Sequence, residues 1–396
     1  MDLNNIVIVE AVRSPMGRFG GSLKDMSVLD LGAQVIKKML DRINLKPDMV
    51  DVTIMANCRQ AGNGVNPARI AAELAGIPVD RFAHTVNCAC PSGLKAVILA
   101  SQDIRLGDAK IVVAGGMESM STIPHLIIGH RWEGFGFGDV TIMDGWNDTV
   151  DRIVKLNMGQ TAEKVAEKYK ISREDQDKFA YNSHKKASEA QKSGKFKNEI
   201  VPIDVPPYKK REGFVFKEDE CIRHDTSLEK LAKLKPAFKK GGTVTAGNAC
   251  GTPDGAAAMV VMPRDLAKSL GYKPLFSIVS YAHGAVDNAY MGIGPTVSIP
   301  KALERAKLTI DDIDAFEINE AFAATSIACE RILNLNPEKV NINGGAIALG
   351  HPTGCSGARI LVTLYNVLKQ QDKELGVASL CGGGGVTCAM VIKREN

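Results

Sequence analysis

The sequence of 396 residues lacks several features that would place it in a simple functional class. It has no continuous apolar run of about 18 residues, so no transmembrane helix and no membrane partner are predicted. Its net charge of +4 is too small to favour nucleic acid as the main partner. Aromatic residues make up only 5% of the chain, whereas glycine occurs 38 times. This composition favours close backbone contacts in α/β loops over aromatic recognition surfaces.

The nine cysteines do not follow the spacing of a metal or redox motif. Without a C-x-x-C pair, neither a zinc ribbon nor a thioredoxin-type pair is expected, and we predict no metal site. The first residues also show no secretory signal, so we expect reduced thiols and a cytoplasmic protein. Cys88 and Cys90 remain open to several interpretations: a pair of metal ligands, for which the support is weak, a redox pair, a nucleophile next to an unreactive thiol, or two inert buried thiols. A disulfide across one residue would be badly strained.

Apolar, β-branched segments alternate with helical patterns along the chain, which predicts parallel sheets covered by helices. The length predicts two or three domains. The predicted strands are 6–13, 50–58, 111–117, 256–262, 313–321 and 376–384, and the predicted helices are 27–43, 67–77, 92–107, 297–308 and 356–371.

Two parts of the chain repeat one α/β unit. Segment 44–57 aligns with 306–319, and segment 91–117 aligns with 355–384. Pseudo-twofold packing of the two copies predicts an α-β-α-β-α layered sandwich. Between the copies lies an insert whose residues 185–240 carry 15 Lys and Arg against 9 Asp and Glu. This surplus is typical of a solvated surface, although an anionic ligand would also fit it.

Cys90 precedes Ser92, Gly93 and a helical segment, so it should lie at or just before a helix N-terminus. Unpaired N–H groups there favour a thiolate. Cys88 lies on the strand side of this junction and is expected to point away. A cysteine at such a junction is more often a buried, inert thiol, so the nucleophile interpretation depends on finding a base elsewhere.

The second copy supplies candidate partners for Cys90. His351 lies in a glycine-rich loop as either a base or a satisfied core histidine, and Cys381 precedes four glycines at a strand end. Those glycines could place backbone N–H groups around an oxyanion or form a flexible turn. Asn319 and Glu320 form either a hydrogen-bonded pair or a helix cap. Because the alignment puts Cys90 and His351 at neighbouring positions of two helix starts, we expect them to meet near the pseudo-twofold axis.

Motifs over nearly the whole chain resemble the thiolase superfamily. They include VNCACPSGLKA, GGMESMS, MGQTAEKVAEKY, GNACGTPDGAAA, EINEAFAA, NGGAIALGHPTGCSGARI and LCGGGG. The resemblance implies an α/β thiolase-like layered sandwich of two repeated halves. One half would comprise 1–121 with 250–272, the other 273–396, and residues 122–249 would form an inserted CoA-binding loop domain. It also implies a homodimer or homotetramer.

The resemblance further implies reversible Claisen condensation and thiolytic cleavage of 3-oxoacyl-CoA and acetyl-CoA through an acyl-cysteine. Cys90 would be the nucleophile, His351 its base, and Cys381 the second acid/base. Asn319 would hold a water that stabilises one oxyanion together with the His351 ring. The backbone N–H groups of Cys90 and Gly383 would form the other oxyanion hole.

Coenzyme A and acyl-CoA are implied as substrates, with no permanently bound cofactor. The residues expected to contact CoA are Arg223, Met158, Ala246, Cys250 and Phe322. Asn157 and Cys250 depart from residues common in the family, which leaves a longer, branched or aromatic acyl chain and an additional subunit open. A non-catalytic acyl-CoA or lipid carrier is the alternative from a different functional class.

Overall fold

The structure is a computed structural model that describes residues 3–395, apart from the side chains at positions 133, 147 and 148. The first two residues and the last residue of the expected domains therefore lie outside the described residues. The strands are β1 (Ile6–Arg13), β2 (Val52–Ala56), β3 (Phe82–Val86), β4 (Val112–Ser119), β5 (His125–Leu126), β6 (Met143–Asp144), β7 (Ile203–Val205), β8 (Phe214–Phe216), β9 (Asp254–Pro263), β10 (Phe276–Ala285), β11 (Ala315–Ile318), β12 (Leu375–Cys381) and β13 (Val386–Arg394). The helices are α1 (Val28–Arg42), α2 (Pro67–Leu74), α3 (Ser92–Leu106), α4 (His130–Glu133), α5 (Met158–Lys168), α6 (Arg173–Lys192), α7 (Leu228–Ala232), α8 (Arg264–Ser269), α9 (Pro295–Ala306), α10 (Ala323–Leu333), α11 (Ala346–Leu349) and α12 (Thr353–Gln370).

The main sheet joins two halves of the chain. Its order is β11-β12-β13-β10-β1-β9-β4-β2-β3. Strands β1 and β10 meet at the join, where only Val7–Ser277 and Ile8–Phe276 are paired. The sheet therefore consists of an N-terminal part, β3-β2-β4-β9-β1, and a C-terminal part, β10-β13-β12-β11, connected by a short contact.

The expectation of parallel sheets is only partly right. Strand β2 runs parallel to β3 and β4, and β11 runs parallel to β12. The pairs β1–β9, β4–β9, β10–β13 and β12–β13 are antiparallel. The short connection between β12 and β13 explains one of these pairs, since parallel neighbours require a longer crossover. Strands β3, β10 and β13 of the main sheet were not predicted, and neither were the short strands β5 to β8.

Two central helices, α3 and α12, pack against each other at their N-terminal ends. A Cβ atom at Gly93 would lie 2.7 Å from Ala358 N and 2.8 Å from Gly354 O, so only glycine permits this approach. A Cβ atom at Gly357 would lie 2.2 Å from Leu94 N. The expectation that the two repeated helix starts meet is confirmed, and both helices contribute to one apolar core with strands from both halves.

The insert is attached to the sheet by buried ion pairs. Arg13 at the end of β1 contacts Glu199 and Asp219, each at 2.7 Å, and the side chains involved in both pairs are fully buried. Its longer helices begin at polar caps: Asn157 accepts a hydrogen bond from Gln160 N before α5, and Ser172 accepts one from Asp175 N before α6. These contacts fix the insert beside the central helices. No helix within residues 3–395 is long and apolar enough to cross a membrane.

Candidate active site

A cavity of about 560 Å³ lies where the two halves and the insert meet. The thiols of Cys90 and Cys381 line it together with the imidazole of His351 and the backbone of Gly383. These residues come from three loops that are far apart in the sequence. The cavity therefore brings together two thiols, an imidazole and a glycine-rich wall, the groups that the sequence analysis expected to meet.

Cys90 lies in a tight turn between β3 and α3. Ala89 adopts a positive φ of 58°, a conformation that costs energy for a residue with a side chain. The turn is closed by Ser92, whose hydroxyl accepts from Cys88 N at 2.7 Å and donates to Ala89 O at 2.5 Å. The thiol of Cys58 also donates to Ala89 O, at 3.2 Å. The strained turn directs Cys90 into the cavity, whereas Cys88 does not line it.

Burial raises the pKa of the Cys90 thiol to about 11. The backbone N–H groups of Gly383 and Cys90 and the positive charge of Arg59 act in the opposite direction but do not overcome burial. The N–H groups at the helix start favour a thiolate, as expected, but burial outweighs them. The thiol is protonated near neutral pH and needs a base in order to react.

His351 is held with one ring nitrogen available. Its Nδ1 lies 2.6 Å from Ser356 Oγ, and that hydroxyl donates its own proton to Pro352 O at 3.0 Å. With the single hydroxyl proton directed to Pro352 O, Nδ1–H is the donor to Ser356 Oγ, and Nε2 is left unprotonated. Nε2 is buried and has no hydrogen-bond partner among the described residues. Burial and the nearby charge of Arg359 lower the pKa of His351 to about 3, so the ring is neutral at rest.

Cys381 ends β12 directly before the glycine loop. Burial and the neighbouring thiol of Cys90 raise the pKa of Cys381 well above its ordinary value, so a thiolate poised near neutral pH is not present at rest. Gly384 and Gly385 have φ values of 79° and 80°, in the left-handed region. This conformation turns the chain so that the Gly383 N–H reaches the Cys90 sulfur.

Asn319 and Glu320 support the His351 loop and do not cap α10, which begins after Phe322. Asn319 Nδ2 lies 3.4 Å from His351 Nδ1, but this contact is not a hydrogen bond because both atoms carry protons in this tautomer. The buried Oδ1 of Asn319 has no partner among the described residues. Glu320 accepts hydrogen bonds from Ser183 Oγ at 2.6 Å and from Ile347 N at 3.1 Å. The carboxylate thus connects helix α6 of the insert with the segment that leads to His351.

The residues expected to contact CoA fall into two adjoining cavities. Met158, Cys250 and Phe322 line the cavity that contains Cys90. Arg223 and Ala246 line a neighbouring cavity of about 630 Å³. The two cavities share Ala249, Gly251 and Thr252 along their border. Two further residues of the second cavity, Arg18 and His224, were not singled out from the sequence.

Glu118 is a further site residue that the sequence analysis missed. It is fully buried at the end of β4 and accepts from Cys58 N at 3.0 Å and Arg59 N at 3.1 Å. It also accepts from Gly354 N at 2.9 Å, close to His351 in the chain. Glu118 therefore connects the loop after β2 with the start of α12. Its position in the GGMESM motif, next to two strand glycines, was the available signal.

The described residues contain no group of three or more His, Cys, Asp or Glu side chains that could hold a metal ion. All nine cysteines are free thiols. The groups that line the cavity include thiols, one imidazole, the guanidinium of Arg59 and the carboxylate of Asp151.

Two family models match this chain: the thiolase N-terminal domain over residues 6–265 and the thiolase C-terminal domain over residues 272–394. A probable acetyl-CoA acyltransferase of Staphylococcus epidermidis is 50% identical, with 99% of each chain covered. An acetyl-CoA acetyltransferase of Cupriavidus necator is 49% identical, with 99% of this chain and 100% of the relative covered.

Solved structures with the same fold include the acetyl-CoA acetyltransferase of Bacillus anthracis, with a TM-score of 0.95, 45% identity and 99% of each chain covered. Human mitochondrial 3-ketoacyl-CoA thiolase in complex with CoA has a TM-score of 0.95 and 40% identity, covering 99% of this chain and 98% of that one. The expected fold class is confirmed by these structures.

Proposed function

Since this chain belongs to the thiolase family, we propose that Cys90, His351 and Cys381 carry its acyl-transfer chemistry. The enzyme is an acyltransferase that interconverts 3-oxoacyl-CoA and acetyl-CoA, using CoA thioesters as substrates without a permanently bound cofactor. One observation carries the assignment of roles: all three side chains line one cavity, and the Gly383 N–H reaches the Cys90 sulfur.

Cys90 acts as the nucleophile and His351 as its base. In thiolysis the Cys90 sulfur attacks the 3-oxo carbonyl carbon while its proton moves to Nε2 of His351. The proton moves during the attack because both groups are neutral at rest. Transferring the acyl group to sulfur divides one difficult step into two easier ones, which gives ping-pong kinetics.

Cys381 handles the proton at the α-carbon. As the bond between C2 and C3 breaks, its electron pair stays on C2, and Cys381 donates a proton to give acetyl-CoA. Free CoA then attacks the acyl group on Cys90 as its thiolate, while Cys381 regains its proton from solvent. Cys90 leaves as a thiolate and recovers its proton from His351, so the cycle closes. In condensation the same steps run backwards.

Backbone and side-chain donors stabilise the oxygen anions that develop. The N–H groups of Cys90 and Gly383 form one oxyanion hole, and the loss of one such donor typically costs about 3 kcal/mol of transition-state stabilisation. His351 Nε2–H, once protonated, and a water held by Asn319 form the other. The unpartnered Asn319 Oδ1 and His351 Nε2 support this role, since buried polar atoms otherwise require partners.

Coenzyme A extends across the two adjoining cavities. Its pantetheine arm passes Met158, Cys250 and Phe322, and its phosphates lie in the second cavity beside Arg223. Ala246 borders that second cavity. The positive charge of Arg223 supports this direction because phosphate oxygens prefer guanidinium donors.

The whole enzyme is proposed to be a cytoplasmic homodimer or homotetramer. The insert carries large apolar side chains in solvent, among them Trp132 at 91% and Phe137 at 114% relative exposure. Exposed apolar groups at this density support an interface with another chain. The division into halves 1–121 with 250–272 and 273–396, with the CoA-binding insert 122–249, belongs to the same proposal, and an additional subunit is compatible with it.

Two half-reactions separate the roles of the two catalytic thiols. Cys381→Ala should still exchange the acetyl group between acetyl-CoA and labelled CoA, while thiolysis of acetoacetyl-CoA falls by about 10²- to 10⁴-fold because the proton donor is lost. Cys90→Ala should lose both reactions. Cys388→Ala, a buried thiol that does not line the cavity, is the matched control and should keep both. Exchange that survives Cys90→Ala would contradict the proposal.

A further inference from the structure

A positively charged side chain lines the catalytic cavity, and within the described part of residues 3–395 no carboxylate forms an ion pair with it. Arg59 follows Cys58 in the loop after β2, and both residues line the same cavity as Cys90. The Arg59 guanidinium carbon lies 5.7 Å from the ring centroid of Trp146, a residue of the insert that also lines the cavity. This cation–π contact holds the guanidinium against an aromatic wall and orients its N–H groups.

Nearby carboxylates do not pair directly with the Arg59 guanidinium. Its Nε is buried and has no hydrogen-bond partner, and none of the ion pairs among the described residues includes it. Glu118 accepts hydrogen bonds from backbone N–H groups, including that of Arg59 itself at 3.1 Å, and from the side chains of Asn57 and Thr353. Asp151, which also lines the cavity, accepts from Val154 N and from Asn288 Nδ2. A partly buried, unpaired cation is costly unless a ligand supplies the negative charge.

Arg59 belongs to the part of the cavity away from the CoA nucleotide. The second cavity contains Arg18 and Arg223 but neither Arg59 nor Trp146. The charge of Arg59 does reach the nucleophile, since it lowers the pKa of Cys90 against the effect of burial. Arg59 is therefore close to the acyl group that Cys90 carries, and it is available to the end of that acyl chain.

We propose that Arg59 is a specificity-determining residue that binds the terminal carboxylate of a short 3-oxo dicarboxylic acyl-CoA. This inference rests on the proposed function, because it assigns a substrate class to the same catalytic site. A guanidinium binds a carboxylate through two parallel hydrogen bonds, which gives both affinity and orientation. A neutral acyl chain of the same length would leave the cation unpaired in a partly dehydrated site.

The contact would persist through the reaction. Cleavage removes two carbons as acetyl-CoA and leaves the shortened acyl chain on Cys90, with its carboxylate still at the far end. Arg59 would therefore bind the substrate, the acyl-enzyme and the dicarboxylic acyl-CoA product alike. The preference should appear in both reaction directions.

The test compares substrates that differ only in the terminal group. Thiolysis is measured with 3-oxoadipyl-CoA and with 3-oxohexanoyl-CoA, six-carbon chains with a carboxylate and a methyl end. The wild-type enzyme should show the higher kcat/KM with 3-oxoadipyl-CoA. Arg59→Met should lower the ratio of the two kcat/KM values by roughly 10- to 100-fold, the amount expected for losing hydrogen bonds to a charged group. Arg59→Lys should retain part of the preference because it keeps the charge without the planar donor pair.

A matched arginine variant separates the acyl end from the CoA end. Arg223→Met should lower kcat/KM for both substrates by a similar factor, since both carry the same CoA. An equal loss for both substrates in Arg59→Met would contradict the proposal, because it would mean that Arg59 acts only on the Cys90 thiol. A wild-type preference for 3-oxohexanoyl-CoA would also contradict it.

The proposed function and the substrate inference fail in different ways. If the enzyme cleaves neither substrate and also fails with acetoacetyl-CoA, the assigned thiolysis chemistry is wrong. If it cleaves the neutral substrates with no preference for the carboxylate, only the role of Arg59 is wrong.

Discussion

Replacement of His351 by glutamine tests whether a neutral imidazole supplies the base for Cys90. With a pKa of about 11 for Cys90, only about one thiol in 10⁴ would be ionised at pH 7 without a base. The thiolate is the attacking species, so the variant must rely on this small fraction. We expect acetylation of the His351→Gln enzyme by acetyl-CoA to be slower by about 10²- to 10⁴-fold at pH 7.

The pH dependence distinguishes loss of a base from loss of structure. In His351→Gln the acetylation rate should rise about tenfold for each pH unit between 7 and 9, because the thiolate fraction of Cys90 rises in that proportion. The wild-type rate should change much less over this range, since His351 Nε2 accepts the proton during the attack. Rapid-quench measurement of acetyl-enzyme formation gives both rates.

A matched variant, Ser356→Ala, removes the partner of Nδ1 but keeps the imidazole. It should lie between the wild type and His351→Gln, with a weaker pH dependence than the latter. The reasoning is refuted if His351→Gln is slowed by less than tenfold at pH 7. It is also refuted if its deficit is the same at pH 7 and pH 9.

Three further predictions concern stability. Gly93→Ala should lower the free energy of unfolding by about 1–3 kcal/mol in urea unfolding, since the new Cβ meets the backbone of α12. As a control, Gly136→Ala should change it by less than about 0.5 kcal/mol, because no atom lies within 4 Å of the new Cβ. Glu118→Gln should lower the free energy of unfolding by about 1–3 kcal/mol and also lower kcat, because an amide cannot accept all the hydrogen bonds that the carboxylate accepts. An unchanged urea midpoint together with an unchanged kcat would count against this role of Glu118. The pKa of His351 is about 3 in the folded protein and about 6.5 in the unfolded chain, so below pH 6.5 the unfolded chain binds a proton that the folded protein does not. The free energy of unfolding therefore falls as pH falls below 6.5, by up to about 1.4 kcal/mol per pH unit. Urea unfolding between pH 7 and 5 should therefore show a steeper decline for the wild type than for His351→Gln, and equal slopes would contradict the lowered pKa.

Local patterns in the sequence were sufficient for the elements that surround the site. The helix after Cys90 was expected at 92–107 and is found at Ser92–Leu106, and the first strand agrees at both ends. The repeat also predicted that the two helix starts meet, because similar units related by a pseudo-twofold axis bring equivalent ends together where those ends lie near the axis. The glycines at 93 and 357 are the physical means of that approach.

Long-range pairing was less accessible from the sequence. Strand β3 carries the half-exposed His84 and Thr85 beside buried positions, so its pattern is that of a polar edge and gives a weak signal. The antiparallel neighbours of β9 and β13 depend on which distant segments they meet. No local periodicity encodes that choice.

The electrostatics of the site depend on tertiary burial. The start of α3 favours a thiolate at Cys90, yet desolvation outweighs it and the thiol stays protonated. Arg59 illustrates the same limit. Its charge is visible in the sequence, but only the fold shows that Glu118 and Asp151 accept hydrogen bonds from other groups and do not pair with its guanidinium.

Locating the acetyl group on the enzyme tests the central claim most directly. The wild-type protein is incubated with acetyl-CoA, quenched in acid, digested, and analysed by peptide mass spectrometry for all nine cysteines. The account predicts an acetyl group on Cys90 alone, retained in Cys381→Ala and absent from Cys90→Ala. Acetylation of Cys58, Cys250 or Cys381 in place of Cys90 would contradict it.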